Sequence, residues 1–397
     1  MPDVPPKTAL PHDTVPSDTV PPDAAARAAD APEAAALGRQ RQFACRNCGA
    51  ETTWDPVDDA LACAHCGTKV PVPRADARIV ERALADAGSA ARGFGVETRT
   101  ATCGSCGAKV AYEGLTTAVE CAFCGSPAVL EEESHRNPLR PESVIPLDVC
   151  AAKVEAAFKK WIGGLWLRPS ALQHTKRFDA IGVYVPAWTF DATVDSEWSA
   201  DAGWYYTVME PRPTMVNGRM QVRMVPVQKV RWEPAWGRRH DVYDDVLVPA
   251  SRGIPEALAQ KLGGYDLKSL VPYRPEYLAG WRAEEYAVDL EGGWKKALDE
   301  IVAQQERRCS GDVPGDTQQN LRVHNVVSGV RWKLCLLPVW TLTYRFGGKP
   351  YTVLIHGQSA RIVGHAPWSP WKIAALVLAC LAALLFLLLV LGAFAAM

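Results

Sequence analysis

Large apolar side chains are almost absent from residues 1–40, come in short bursts between 41 and 366, and fill an unbroken run from Ile373 to Met397. The first segment holds eight prolines, with three basic and six acidic residues. It cannot bury enough surface to offset the entropy of ordering and is expected to be an unfolded, mildly acidic tail. The last segment is 25 residues without a charge. At about 1.5 Å per residue it is long enough to cross a hydrocarbon layer of roughly 30 Å. A soluble helix of that length would show a polar face, and this one has none.

The middle pattern switches between helical and strand periods. Arg74 to Ala91 predicts a helix with Ile79, Val80, Ala83 and Leu84 on one side. Asp148 is placed to cap a helix that buries Val154, Phe158, Trp161 and Ile162. Ile181 to Thr193 predicts a buried strand, and Asp195 to Val208 a second that continues it as a hairpin. Asn217-Gly218, between Met215-Val216 and Met220-Gln221-Val222, suits a two-residue hairpin turn. After a short apolar run at Asp245–Pro249, helices are expected over Glu256–Leu262 and Leu290–Gln304, the second burying Trp294, Leu298 and Ile301. A polar loop is expected over Gly311–Gln319. Strands then return at Arg322–Val330, Trp332–Tyr344, Tyr351–Ile355 and Arg361–Val363, with turns at Gly347-Gly348 and His356-Gly357. Tyr184-Val-Pro-Ala-Trp188 and Leu336-Leu-Pro-Val-Trp340 share a strand–proline–tryptophan pattern, which suggests an internal duplication.

The cysteines change the picture most. Cys45-Arg-Asn-Cys48, fourteen residues, Cys63-Ala-His-Cys66 is followed by Cys103-Gly-Ser-Cys106, fourteen residues, Cys121-Ala-Phe-Cys124. A Cys-x-x-Cys turn sets two thiolates on one side of a tight loop, and two facing turns complete the tetrahedral sulfur shell that zinc prefers. Gly49, Gly67, Gly107 and Gly125 follow each pair, where glycine lets backbone amides turn toward sulfur. Disulfides would need an oxidising compartment, and no export-signal pattern is evident. A thioredoxin-like redox site would use one pair, not four in matched sets. Two zinc ions are therefore expected, one on Cys45, Cys48, Cys63 and Cys66 and one on Cys103, Cys106, Cys121 and Cys124. His65 is expected to face solvent, and Cys150, Cys309, Cys335 and Cys380 to serve as small apolar residues.

The resulting fold class is α+β: a tail (1–40), zinc ribbon 1 (41–72), a helical linker (73–99), zinc ribbon 2 (100–135), a β-rich domain with a few helices (136–366) and a C-terminal transmembrane helix (373–397). Trp368, Trp371 and Lys372 precede the span as membrane-interface residues do. Arg345, Lys349, Arg361 and Lys372 lie on its N-terminal side, so the positive-inside bias places the bulk of the chain in the cytoplasm, held at the inner membrane.

Net charge is −1. Residues 41–70 carry three Lys or Arg against four acids, and residues 101–133 carry Lys109 against five. Nucleic-acid binding needs clustered cations, so a protein partner is favoured for the ribbons. One basic stripe, Arg212 to Arg239, is interleaved with Trp232 and Trp236. A solvated hairpin face accounts for it, with lipid headgroups ahead of nucleic acid among its possible ligands. Gly347-Gly-Lys349 lacks the upstream glycine and the following hydroxyl of a phosphate loop. No serine elbow, His-Glu-x-x-His or dinucleotide fingerprint is found, and no enzymatic role is expected. Asp244-Asp245 and Glu284-Glu285 are taken as surface charge.

After these ribbons come NPLRPESVIPL (137–147), FKKWIGGLW (158–166), GVYVPAWTFDA (182–192), LLPVWTLTYRFGGKPYTVLIHGQSARIVG (336–364) and PWSPWKI before the span. In this order the chain resembles bacterial membrane-anchored double-zinc-ribbon proteins, often labelled primosomal-helicase-like, over nearly everything after residue 40. The resemblance implies that the eight ribbon cysteines bind zinc and supplies no reaction. The chain departs from true helicases in lacking both phosphate loop and acidic box, and from many members in having His356 where Asn is common.

Overall fold

The computed structural model describes residues 43–73, 78–94, 99–112, 120–127, 129–132, 139–170, 172, 179–216, 219–347 and 349–395. The expected tail lies outside them, as do Asn217-Gly218 and the first residues of the helix expected from Arg74. The fold is mixed α+β. Three short strands, β1 (Thr52–Asp55), β2 (Ala60–Cys63) and β3 (Lys69–Pro71), make an antiparallel sheet of their own. Next come β4 (Arg82–Ala83), β5 (Arg99–Cys103), β6 (Lys109–Tyr112), β7 (Val129–Glu132), β8 (Ser143–Val144) and helix α1 (Ala151–Gly163). The body follows as β9 (Asp179–Val216), β10 (Arg219–Pro249), α2 (Glu256–Leu262), β11 (Val271–Pro272), β12 (Arg282–Glu284), α3 (Leu290–Asp312), β13 (Thr317–Phe346), β14 (Lys349–His356) and β15 (Ile362–Gly364). Helix α4 (Pro370–Ala395) comes last.

Strand β9 is the spine. It pairs antiparallel with β10 from Val216 back to Ala187, and with β13 from Gly203 to Asp179. The two strands expected over 181–208 are thus one, without a turn at Val194, and the hairpin bend comes only beyond Val216. Likewise Arg322–Val330 and Trp332–Tyr344 are parts of β13. Pro186 and Pro338 lie within these strands, and each sits where a missing N–H costs nothing. The carbonyl of Pro186 accepts from Ala250 N (3.0 Å), just past the end of β10, and that of Pro338 accepts from Gly357 N (3.0 Å), just past the end of β14. In an antiparallel strand a residue's N–H and C=O share a side, so both prolines point their absent donor at a neighbour that has already ended. Beyond this, Trp188 and Trp332 meet edge-on at 5.7 Å in one core cluster, while Trp340 meets Trp281 in another part of the interior.

The helices cover the sheet. α1 buries Val154, Phe158 and Ile162, as the 3.6-residue period requires. Its N-cap is Cys150, without a side-chain bond. Asp148 lies too early to cap; its backbone N–H donates to Gly357 O at 3.2 Å. α2 has the expected bounds. α3 starts at Leu290, capped by Asp289, whose side chain accepts from Gly292 N at 2.8 Å. It runs eight residues further than expected, because Gln305 and Cys309 continue the buried stripe of Ile301, and Arg239 grips Asp312 at 2.8 Å. The expected loop over 311–319 therefore shrinks to the residues between Asp312 and Thr317.

The segment expected as a helix from Arg74 forms no α-helix over its described residues, only a 3-10 helix near its end. Arg82 and Ala83 pair with Trp332 and Arg331, and a 3-10 turn spans Leu84–Ser89. Trp332 Nε1 donates to Ala83 O at 3.1 Å and Arg82 Nε to Glu142 at 2.8 Å. These tertiary bonds override a modest helical preference. Pro370–Leu388 in α4 is long and apolar enough to cross a membrane. Its start is tied down by Ser369 N donating to Leu167 O (3.0 Å) and by the Arg168 guanidinium stacked 3.5 Å over the Trp368 ring.

Candidate metal centres

The four Cys-x-x-Cys turns share one backbone geometry. The first cysteine's carbonyl accepts from the glycine four residues on: Gly49 N to Cys45 O and Gly107 N to Cys103 O at 2.8 Å, Gly67 N to Cys63 O and Gly125 N to Cys121 O at 2.9 Å. All four glycines have φ between 65 and 74°. A side chain is strained there, which explains glycine at each turn. The turns face each other in two sets, Cys45, Cys48, Cys63 and Cys66, then Cys103, Cys106, Cys121 and Cys124, with all sulfurs of a set within 4.8 Å of one another.

The spacing fits a metal and not a disulfide. Cys45 and Cys66 sulfurs are 3.5 Å apart, as are those of Cys48 and Cys63; Cys103–Cys124 is 3.7 Å and Cys106–Cys121 is 3.6 Å. Sulfurs placed ~2.3 Å from a tetrahedral ion lie about 3.8 Å apart, whereas a disulfide needs ~2.05 Å. Each set is therefore built to hold one metal ion. In the second set the hydrogen bond from Cys106 holds the Cys121 thiol down to about 5, and that same contact together with burial pushes Cys106 up. In the first, Thr68 hydrogen-bonds Cys66 at 3.1 Å and lowers it to about 5. His65 is exposed and outside the sulfur set. Cys309 and Cys335 are buried; burial pushes Cys335 up to about 12.

The two centres differ in how they are seated. The first leaves Cys48 and Cys66 exposed. Its sheet meets the body through Trp54, buried edge-on against Tyr277 at 4.8 Å, with Trp54 N donating to Ala279 O and Trp281 Nε1 to Trp54 O. The second is part of the main sheet: β6 pairs with β12, which itself lies parallel to β9. Its Cys121–Cys124 turn is pressed into the body. Thr341 Oγ1 donates to Ala122 O (2.5 Å) and Thr352 Oγ1 to Phe123 O (3.0 Å), while the Phe123 ring is 2% exposed. A methyl on Gly253 would come within 2.4 Å of that ring, so Gly253 permits the contact.

Two carboxylates taken for surface charge, Glu284 and Asp245, are not, whereas Asp244 is exposed as expected. Glu284 is 1% exposed and accepts from the amides of Arg252 and Gly253 at 3.0 and 2.8 Å; burial pushes it up to about 7. Asp245 takes φ 52° at a bulge in β10 and lies 2.6 Å from the buried Lys333 ammonium, which also reaches Glu81 at 3.0 Å. Burial opposes the charge of Lys333, but these hydrogen bonds outweigh it and raise its pKa. Asp191, burdened mainly by burial, is raised to about 6. Asp191, Asp244 and Asp245 are close enough to suit a cation, and Lys333 supplies one from within the chain. No spacing rule marks such a cluster, because strands far apart in sequence build it.

Much of the Arg212–Arg239 stripe is internally paired. Lys229 meets Glu210 (2.6 Å), Arg231 meets Glu233 (3.1 Å), Arg238 meets Glu197 (2.9 Å), and Arg239 meets Asp241 and Asp312.

The chain is 28% identical over 335 residues to the uncharacterized protein YdjG of Bacillus subtilis (strain 168), a match covering 84% of this chain and 92% of that one. No family model matches, and neither does any solved structure. The match extends over most of both chains.

Proposed function

We propose that this protein is a membrane-tethered zinc-ribbon scaffold whose two zinc ions are structural and whose β-rich body, facing the cytoplasm, receives a protein partner. The observation that carries the reading is the pair of four-sulfur sets at the edge lengths of a zinc–thiolate tetrahedron. Zinc, when bound, would supply folding energy and no open coordination position, since sulfur fills all four. The chain's part is to present those sulfurs on preformed turns and to weld the second centre to the sheet. The scarcity of cations on both ribbons favours a protein over a nucleic acid as the docked species. Helix α4, with Trp368 and Trp371 at its start, supplies the tether, and the Lys and Arg preceding it favour the cytoplasmic side.

Metal analysis of the purified chain tests the first half: two zinc ions per chain are expected, and sulfurs bonded to one another would overturn it. Carbonate extraction and protease accessibility of sealed vesicles test tether and orientation. For the scaffold role, partners are pulled from detergent extracts with wild type and with Cys103→Ser/Cys106→Ser. An unchanged partner set removes the second ribbon from any docking role.

A further inference from the structure

Beyond Gly203, where its last pairing with β13 falls, β9 continues with β10 as a two-stranded ribbon about 40 Å long. Isolated two-stranded hairpins are marginal in water. Residues directly opposite in an antiparallel pair share a face, so the register sorts this ribbon into two faces. Met215 faces Met220, Pro213 faces Val222, Pro211 faces Met224 and Met209 faces Pro226, all on one side. On the other side Arg212 faces Arg223, Glu210 faces Val225, Val208 faces Val227, Tyr206 faces Lys229 and Trp204 faces Arg231.

The first side is apolar and bare: Met209 and Met224 are 56% exposed, Met215 70%, Val222 71% and Met220 76%. The chain has six methionines, and the four that are not at its ends are all here. From Trp204 to Glu233 there are five Lys or Arg against Glu210 and Glu233. Where the ribbon leaves the body it carries exposed Trp204, Tyr205, Tyr206 and Trp232.

We infer that this ribbon is a second membrane contact, which lays its methionine face into the headgroup–acyl boundary of an anionic bilayer while its cations meet the lipid charge. Unbranched, polarizable methionines conform to a disordered apolar phase. Tyr and Trp at the base of the ribbon are the side chains that settle at the interface itself. An element with one apolar and one cationic face is what adsorbs in the plane of such a surface, with a strength set by apolar area plus charge. A nucleic acid would use the cations and leave the methionines in water. A second copy would bring the same net positive charge.

The methionines themselves provide the readout. The full chain is reconstituted in vesicles of phosphatidylcholine, with or without phosphatidylglycerol, and subjected to a hydroxyl-radical pulse, and oxidation of Met209, Met215, Met220 and Met224 is read by mass spectrometry. Oxidation is expected to slow several-fold on adding the anionic lipid. Replacing Arg212 and Arg223 with Gln should weaken the protected state about thirty-fold, at about one kcal/mol per cation. Equal oxidation in both lipids overturns the inference. So does protection that follows protein density in the neutral lipid, which would signal a second copy, or protection conferred in detergent by a single-stranded oligonucleotide. Carbonate resistance reports on α4 alone, so failure of the tether and failure of the ribbon contact are separable.

Discussion

Phe123→Ala probes how the second metal centre is joined to the body without touching a cysteine. The ring is 2% exposed, packed against the backbone of Gly253, and belongs to the core cluster that includes Val185, Leu337 and Leu354. Truncating a buried phenylalanine costs about 3–5 kcal/mol. The bond from Thr352 to Phe123 O is a backbone contact and should survive, which places the expectation near the lower figure, about 3 kcal/mol. Against a typical total of 5–15 kcal/mol that is a large fraction. Urea unfolding in mild detergent, followed by tryptophan fluorescence, measures it, with zinc content read in parallel and expected to stay unchanged. Gly253→Ala attacks the same contact from the opposite side, its new methyl 2.4 Å from the ring. The double variant should therefore cost clearly less than the sum of the single ones, because removing the ring makes room for the methyl. A cost below about 1 kcal/mol for Phe123→Ala, or strict additivity, would refute the docking described here.

Other outcomes follow from the same geometry. Cys45→Ser/Cys48→Ser should lose one zinc and leave the body's unfolding midpoint nearly unchanged, whereas Cys103→Ser/Cys106→Ser should lose one zinc and destabilise the whole sheet. Equal effects on the midpoint would contradict the different seating of the two centres. His356, 1% exposed and stacked 3.9 Å from Tyr265, is lowered to about 4 by burial and by Arg361. A depressed histidine holds its stability above pH 6.5 and loses it as pH falls toward 4, by on the order of 3 kcal/mol. The difference in stability between His356→Asn and wild type should change over that window and be flat above it. Lys333→Met leaves Glu81 and Asp245 without their cation and should cost about 3–5 kcal/mol in the same unfolding assay. A neutral result would mean that the pair is solvated.

What could be read from the sequence was local. The cysteine turns, α2, the start of α3 and the Val154/Phe158/Ile162 stripe are each fixed by neighbours a few residues away, through glycine at positive φ or a 3.6-residue period. The misses share a different cause. β9 and β13 looked like several strands because polar residues interrupt the apolar runs at Asp195 and at Ser328-Gly329, and only the pairing of the two strands with each other, far apart in the chain, carries both through. The helix expected from Arg74 gave way to a pairing with Trp332 that no window of local sequence contains. Lys333, Asp245 and Glu81 likewise meet only once the sheet exists, so their carboxylates looked like ordinary surface residues.

The pairing of Asp179–Val216 with Thr317–Phe346 also governs how the protein is made. Long-range strand pairing is slow, and its unpaired edges are open to aggregation until it closes. The ribosome releases β13 only shortly before α4, so the sheet must zip up while a greasy segment is leaving the exit tunnel. On the proposed role of α4 as a tether, biogenesis sets a race between closure of the sheet and capture of α4 by the insertion machinery, and slowing translation ahead of residue 370 should raise the yield of folded protein.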